Sequence, residues 1–132
     1  MNKNKDLGLL VLRISIGVMM LLHGIAKLKG VSGIEGMLAG AGLPGFLAYG
    51  VYITEIVAPI LMIIGYRMRL ASVVYIFGVL FAMFLAHSSD IFTLNQHGGW
   101  GVELLGLYLF GAVALFFTGS GNMAVSSSNK WD

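Results

Sequence analysis

The sequence of 132 residues has no cysteine, two prolines and few charged residues. Without cysteine the chain has no thiol nucleophile and no thiolate-bound zinc or iron–sulfur cluster, so a redox role requires a bound cofactor or a partner protein. Charged residues make up 11% of the chain, whereas soluble domains carry about 25%. Hydrophobic residues make up 58%, and the mean hydropathy is +0.88. The composition therefore indicates an integral membrane protein.

Four apolar segments are long enough to cross a bilayer as helices, at residues 7–28, 46–65, 70–87 and 101–118. A helix rises about 1.5 Å per residue and the hydrocarbon core is about 30 Å thick. The strict apolar/polar alternation of a β-barrel is absent from the sequence. We therefore predict an all-α fold, in which residues 1–121 form one domain, an antiparallel four-helix bundle in the membrane. Residues 122–132, rich in Ser and Asn, predict a disordered cytoplasmic tail.

The segments around these spans predict further features. Arg13 interrupts the first apolar run and no typical cleavage site follows it, so the run is predicted to remain as helix 1 rather than to be a signal peptide. Residues 32–42 carry apolar side chains at helical spacing, which predicts a short amphipathic helix on the membrane surface between helices 1 and 2. Basic residues predict that both termini are cytoplasmic. Lys3, Lys5, Arg67, Arg69 and Lys130 lie on one side of the four-span topology, and Lys27 and Lys29 on the other.

Two carboxylates, Glu55 and Glu103, lie inside otherwise apolar segments, and helix 1 carries Arg13, His23 and Lys27. A charge near the bilayer centre costs on the order of 3 kcal/mol, so such residues are expected to face the bundle interior and to have partners. Counting depth along ideal helices predicts the pairs Arg13–Glu55 and Lys27–Glu103, with His23 between them. Gly17 and Gly24 share one helical stripe with Arg13 and Lys27 and predict close approach of a second helix.

Two interpretations of this set remain open. The ion pairs either fix the register of the helices, or they line a polar pocket that binds a quinone head group or a small substrate. In the second case the candidate catalytic residues are Glu55, His23 and Glu103, and Arg13 and Lys27 complete the binding set. His23 is suited to proton transfer because imidazole can pass protons near neutral pH. Pro59 predicts a kink one turn after Glu55.

A weaker candidate site lies in the second outer loop, where His87, Asp90 and His97 offer metal-ligating atoms. Their spacing matches no known metal motif, and a solvated loop is the alternative interpretation. A net charge of +2 spread over the membrane flanks provides no basic face, so no nucleic-acid partner is expected.

Several short motifs occur together in one order along the chain. They are Arg13, His23-Gly24 and Lys27; Gly42-Leu43-Pro44; Glu55; Gly65-Tyr66-Arg67, Arg69, Leu70 and Ala71; Gly98-Gly99-Trp100 and Glu103; and Gly119-Ser120-Gly121. In this order and spacing, from about residue 9 to residue 121, the chain resembles the DoxX family of small bacterial membrane proteins. The tail from Asn122 departs from the usual family ending.

The resemblance implies a four-helix bundle in the bacterial cytoplasmic (inner) membrane. It also implies a small membrane subunit of a redox system, in quinone-linked oxidoreduction or an oxidative-stress complex, and thus at most an oxidoreductase subunit. A quinone is then the candidate cofactor, and membrane lipid and a soluble or membrane redox protein are the expected partners. The alternatives are a small-solute carrier, which with four spans requires a homo-oligomer, and a non-catalytic membrane anchor or assembly factor.

Overall fold

The computed structural model describes residues 3–132, and over that range the chain is all-α, as predicted. Its α-helices are α1 (Lys5–Ala26), α2 (Ser32–Gly40), α3 (Ala58–Ile64), α4 (Met68–His87) and α5 (Glu103–Thr118). Between residues 3 and 132 no sheet forms, and extended backbone pairs at a single bridge between Leu94 and Trp100.

Helix α1 begins at a side-chain cap and buries one stripe. The Asn4 side-chain oxygen accepts the backbone N–H of Leu7 at 3.0 Å, which satisfies one of the N–H groups that have no partner within the helix. The buried residues of α1 are Arg13, Ile16, Gly17, Met20 and Gly24, which recur along one face of the helix. This face agrees with the stripe predicted from the sequence, except that it also includes Ile16 and that Lys27 is partly exposed.

The second apolar segment is a 20-residue helix, Gly45–Ile64, that changes its hydrogen-bonding pattern along its length. It begins as a 3₁₀ helix at Gly45–Gly50, forms a π-helical turn at Ile53–Val57 and continues as α3. Pro59 lies in the first turn of α3, where its missing N–H is tolerated. The sequence predicts an irregularity at Pro59, and the structure places it one turn earlier, in the π turn that contains Glu55.

The helices pack as a ring in which α1 contacts α3 and α5, and α4 contacts α3 and α5. The centre contains Met62, Tyr75 and Leu115, each at most 1% exposed. The Tyr75 hydroxyl donates to the backbone oxygen of Ile16 at 3.1 Å and so links α4 to α1 across the ring. Large apolar side chains cover the outside, with Phe117 77% exposed. Such a surface is suited to lipid contact rather than to water.

The short helix α2 forms where the sequence predicts it and closes one end of the ring. Leu38 of α2 is fully buried and clusters with Val31 and Ala48, and this cluster packs against Phe81 and Leu85 of α4. The apolar face of α2 therefore covers the bundle at this end. Its location at the membrane surface stays a prediction.

Among residues 3–132, three helices are long and apolar enough to cross a membrane, namely Lys5–Lys29, Gly45–Ile64 and Met68–Asp90. Helix α5 is apolar but has 16 residues, which corresponds to about 24 Å at the usual rise. The described structure therefore supports a multi-pass membrane protein with three long spans, one fewer than the sequence predicts by counting residues 101–118.

The segment after α5 differs from the predicted disordered tail, because residues 119–132 pack under the end of the bundle. The backbone N–H groups of Val125 and Ser126 donate to the carbonyls of Ile64 and Gly65, each at 3.1 Å. These carbonyls belong to the C-terminus of α3, where the helix itself supplies no donors. The composition of the segment predicts disorder because composition gives no information on whether backbone N–H groups will bond to the unpaired carbonyls at a helix end.

Asp132 fixes the end of this segment. Its carboxylate accepts hydrogen bonds from Arg67, Ser126 and the backbone N–H of Asn129, and the Arg67 Nη1–Asp132 Oδ1 distance is 3.0 Å. Burial of the carboxylate opposes its ionisation, but the hydrogen bonds and the Arg67 charge outweigh burial and lower the pKa of Asp132 from 3.8 to about 2.

Candidate functional site

One ion pair joins α1 to the Gly45–Ile64 helix. Lys27 lies in the 3₁₀ turn Lys27–Lys29 that continues α1, and Glu55 lies in the π turn. The Lys27 ammonium nitrogen is 2.6 Å from both carboxylate oxygens of Glu55. The side chains are 32% and 14% exposed, respectively, so the pair is partly shielded from solvent. The predicted partners were therefore wrong: Lys27 pairs with Glu55 rather than with Glu103.

A glycine contact holds these two residues together. Gly24 packs directly on the backbone of the π turn, where a Cβ atom would overlap the Glu55 carbonyl oxygen and lie 2.7 Å from Ile56 Cγ1. Gly17, two turns earlier, packs mainly against a side chain, because a Cβ atom there would lie 2.8 Å from Ile63 Cγ1 and 3.2 Å from the Pro59 carbonyl oxygen. The predicted close approach at Gly17 and Gly24 is confirmed, and it brings the Glu55 backbone within reach of the Lys27 side chain.

Tyr52 adds a second link beside the ion pair. Its hydroxyl donates to the Lys27 carbonyl oxygen at 3.0 Å. This carbonyl lies at the C-terminal end of α1, where the helix provides few donors. The hydrogen bond therefore fixes the end of α1 against the helix that carries Glu55.

A cavity of about 670 Å³ lies beside the ion pair, between α1, the Gly45–Ile64 helix, α4 and α5. This volume falls within the range of ligand pockets, about 300–1,000 Å³. Most of its lining is aliphatic or aromatic. The polar and titratable side chains in the lining are His23, Lys27, Thr54, Glu55, Tyr75, His87, Asn95, Glu103 and Tyr108. The structure therefore brings His23, Lys27, Glu55 and Glu103 to one cavity, and this set includes each candidate catalytic residue.

Glu103 begins α5 at the rim of this cavity and is exposed. Its carboxylate lies over Gly99, where an added Cβ would come within 2.5 Å of Glu103 Oε2. His23 is exposed on α1 at the same cavity. Within residues 3–132 neither side chain forms an ion pair. Their titratable groups are thus available to a molecule in the cavity.

The sequence analysis missed Tyr75 and Tyr108, which line the cavity from α4 and α5. As a residue Tyr108 is 4% exposed. Its hydroxyl forms no hydrogen bond within residues 3–132 and is not among the fully buried side-chain atoms that lack a partner, so it keeps access to the cavity and is suited to a ligand oxygen. The available signal was a tyrosine within an apolar span, which is costly to bury unless its hydroxyl finds a partner.

Arg13 does not reach Glu55, contrary to the sequence prediction. It is 2% exposed, and its guanidinium donates to the Ser120 carbonyl at 3.1 Å and to the Met123 carbonyl. Both acceptors belong to the segment after α5. Arg13 therefore fastens that segment at the opposite end of the bundle and lies outside the cavity lining.

The weak metal candidates do not assemble in the described residues. His87 Nδ1 lies 3.6 Å from Asp90 Oδ2, whereas His97 has Gln96 as its side-chain neighbour. Among residues 3–132 no group of three or more His, Cys, Asp or Glu side chains could hold a metal ion.

The family model described as DoxX matches residues 8–88, which is more than half of the chain. The chain belongs to the DoxX family. The matched residues include nearly all of α1, the Gly45–Ile64 helix and all of α4, and therefore both members of the ion pair. The motifs at Gly98–Glu103 and Gly119–Gly121 lie beyond the match.

This DoxX-family chain is also similar to a protein of Bacillus subtilis (strain 168) named "Putative oxidoreductase CatD". The two are 31% identical over 125 residues, which cover 95% of this chain and 89% of the relative. The similarity therefore extends through α5. No solved structure matches the chain.

Proposed function

We propose that this chain is a small membrane subunit of a redox system and that its cavity binds the head group of a quinone. The observation that carries the proposal is a largely apolar cavity that has the Lys27–Glu55 ion pair and the Tyr108 hydroxyl in its lining. Apolar walls suit a ring and its isoprenoid substituent, and a few polar groups can bind ring oxygens. The relative's printed name supports an oxidoreductase setting.

The proposed reaction is the reduction of a quinone to a quinol, which consumes two electrons and two protons. The electrons come from an oxidoreductase that binds this subunit. His23 and Glu55, which line the cavity, would relay protons towards a quinone bound there. Lys27 would bind a ring oxygen through its ammonium group, because an ammonium group in a poorly hydrated site interacts strongly with negative charge. Glu103 at the rim exchanges protons with solvent.

We further propose that α5 is the fourth span and that both termini are cytoplasmic, in the bacterial inner membrane. Asn122, after α5, donates from its backbone N–H and its side chain to the Asp6 carboxylate in the first turn of α1. Two segments in contact lie on the same side of the membrane, which requires an even number of crossings. The basic residues at this end favour the cytoplasm.

Binding of decylubiquinone to the purified protein in mild detergent, followed by calorimetry, tests the proposal. Wild-type protein is expected to bind it, and Glu55→Gln and Tyr108→Phe are each expected to weaken binding about tenfold, since each removes a polar contact. Glu35→Gln is the matched control, because Glu35 is an exposed acid on α2 outside the cavity lining. Thermal unfolding of each variant verifies that it is folded.

The result that contradicts the proposal is the absence of binding by folded wild-type protein, or equal binding by wild type and Glu55→Gln. The solute-carrier alternative predicts instead that the isolated protein releases a hydrophilic solute from liposomes. The mostly apolar lining of the cavity favours the quinone over such a solute.

A further inference from the structure

A second groove lies at the other end of the bundle. It encloses about 790 Å³ between the first turns of α1, the N-terminus of α4 and the segment that follows α5. Lys5, Arg69 and Lys130 bring three positive charges to its lining. Because it lies where the apolar helices α1 and α5 begin and end, respectively, this groove is at the height of the lipid head groups.

Both carboxylates in this groove accept hydrogen bonds from other residues of the protein. Asp6 accepts two hydrogen bonds from Asn122, at 3.1 and 3.3 Å. Asp132 accepts from Arg67, Ser126 and Asn129. In contrast, neither Lys5 nor Lys130 forms an ion pair within residues 3–132. Hydrogen bonds from a neutral amide leave the negative charge of Asp6 in place, whereas Asp132 is paired with Arg67. The three basic side chains therefore outnumber the one acid without a cationic partner, and the groove has a net positive charge.

Arg69 is held rigidly in this groove. Its Nε donates to the Phe116 carbonyl and its Nη1 to the Lys130 carbonyl, both at 3.0 Å, and the guanidinium stacks 4.8 Å from the centre of the Phe116 ring. The second terminal nitrogen of the guanidinium forms no hydrogen bond within residues 3–132. A guanidinium fixed in this way loses little conformational entropy when it binds a phosphate.

The rim of the groove is apolar on the membrane side. Phe117, at the end of α5, is 77% exposed, and Leu9 of α1 is half-buried beside it. A free anion makes no use of such side chains, whereas the acyl chains of a phospholipid lie along them. We propose that this groove binds the head group of an anionic phospholipid, with its phosphate at Lys5, Arg69 and Lys130 and its acyl chains against Leu9 and Phe117.

Native mass spectrometry of the protein in detergent tests this site, with palmitoyl-oleoyl phosphatidylglycerol and palmitoyl-oleoyl phosphatidylcholine as probes. Wild-type protein is expected to retain phosphatidylglycerol in preference to phosphatidylcholine. Lys5→Gln and Lys130→Gln are each expected to reduce that preference about fivefold. Lys29→Gln is the matched control, since Lys29 is an exposed lysine at the opposite end of α1. Arg69 is left intact because it also fastens the segment after α5.

Equal retention of the two lipids by wild-type protein would overturn the proposal. So would a loss of preference in Lys29→Gln as large as that in Lys5→Gln, because the effect would then follow net charge. Displacement of phosphatidylglycerol by low millimolar inorganic phosphate would show that the groove binds free phosphate and that the lipid assignment is wrong.

Discussion

The ion pair of Lys27 and Glu55 is neither fully exposed to solvent nor fully buried. Exposed pairs contribute about 0.2–1 kcal/mol, whereas removing one partner of a buried pair costs about 3–5 kcal/mol. The Lys27 side chain is 32% exposed and the Glu55 side chain 14%. Loss of either partner is therefore expected to lower the stability of the protein mainly because the remaining charge is left without a partner.

We expect Lys27→Met and Glu55→Gln each to lower the free energy of unfolding by about 1–3 kcal/mol, and the double variant to lose less than the sum of the two. The physical reason is that each single change leaves one charge unpaired at the cavity wall, and the double change leaves none. Thermal unfolding of the four proteins in one detergent measures this coupling. Strictly additive losses would contradict the ion pair.

The sequence predicts which residues carry charge in the spans, but not their partners. Depth counting along ideal helices assigns Glu55 to Arg13, yet Glu55 lies in a π turn, where ideal helical spacing does not hold, and the long Lys27 side chain reaches it. Arg13 instead binds backbone carbonyls of residues 120 and 123. Every residue has a carbonyl, so such acceptors leave no pattern in a sequence.

At the scale of elements, the contact between α1 and the Gly45–Ile64 helix depends on glycine at two positions of α1. The sequence predicts this contact because Gly17 and Gly24 lie on one stripe. It does not predict the π turn, since such a turn depends on packing across the bundle and has no periodic signature. The π turn and the glycine contact coincide at Glu55, next to the cavity.

We predict that Gly24→Ala destabilises the protein and weakens decylubiquinone binding, because the new methyl group pushes the Glu55 backbone away from α1. Gly8→Ala is the control on the same helix, since an added Cβ there meets nothing within 4 Å. Alanine favours helix over glycine by up to about 1 kcal/mol, so Gly8→Ala is expected to be neutral or stabilising. Equal melting temperatures for Gly24→Ala and wild type would contradict the close contact.

The segment after α5 has its own pH dependence, because its anchor Asp132 has a pKa of about 2 in the folded state and 3.8 as a free side chain. A lowered folded-state pKa means that Asp132 contributes stability above about pH 4, and that this contribution is lost as the pH falls towards 2. Trp131 fluorescence is therefore expected to change with a midpoint near pH 2. Asp132→Asn, which cannot ionise, should lack this transition, and the same transition in both proteins would contradict the assignment.

At the scale of the whole molecule, the two ends of the bundle differ in structure. One end holds the cavity with the Lys27–Glu55 pair, and the other holds the segment after α5 with Arg13 and Arg67. Periodicity and composition predict the helices, because apolar spans follow directly from solvation. Assembly of the second end depends on a polar segment without periodicity, so no sequence pattern reveals it.

The number of crossings can be tested because the chain has no cysteine, so each introduced cysteine is the one thiol in the protein. Ser89 lies between α4 and α5, Ser128 lies after α5, and both are exposed. If α5 crosses the membrane and the termini are cytoplasmic, a membrane-impermeant maleimide labels Ser89→Cys in intact cells and labels Ser128→Cys after permeabilisation. Labelling of both cysteines in intact cells would indicate that the chain crosses the membrane three times and that α5 does not cross it. That result would separate Asn122 from Asp6 across the bilayer, which is incompatible with their hydrogen bonds.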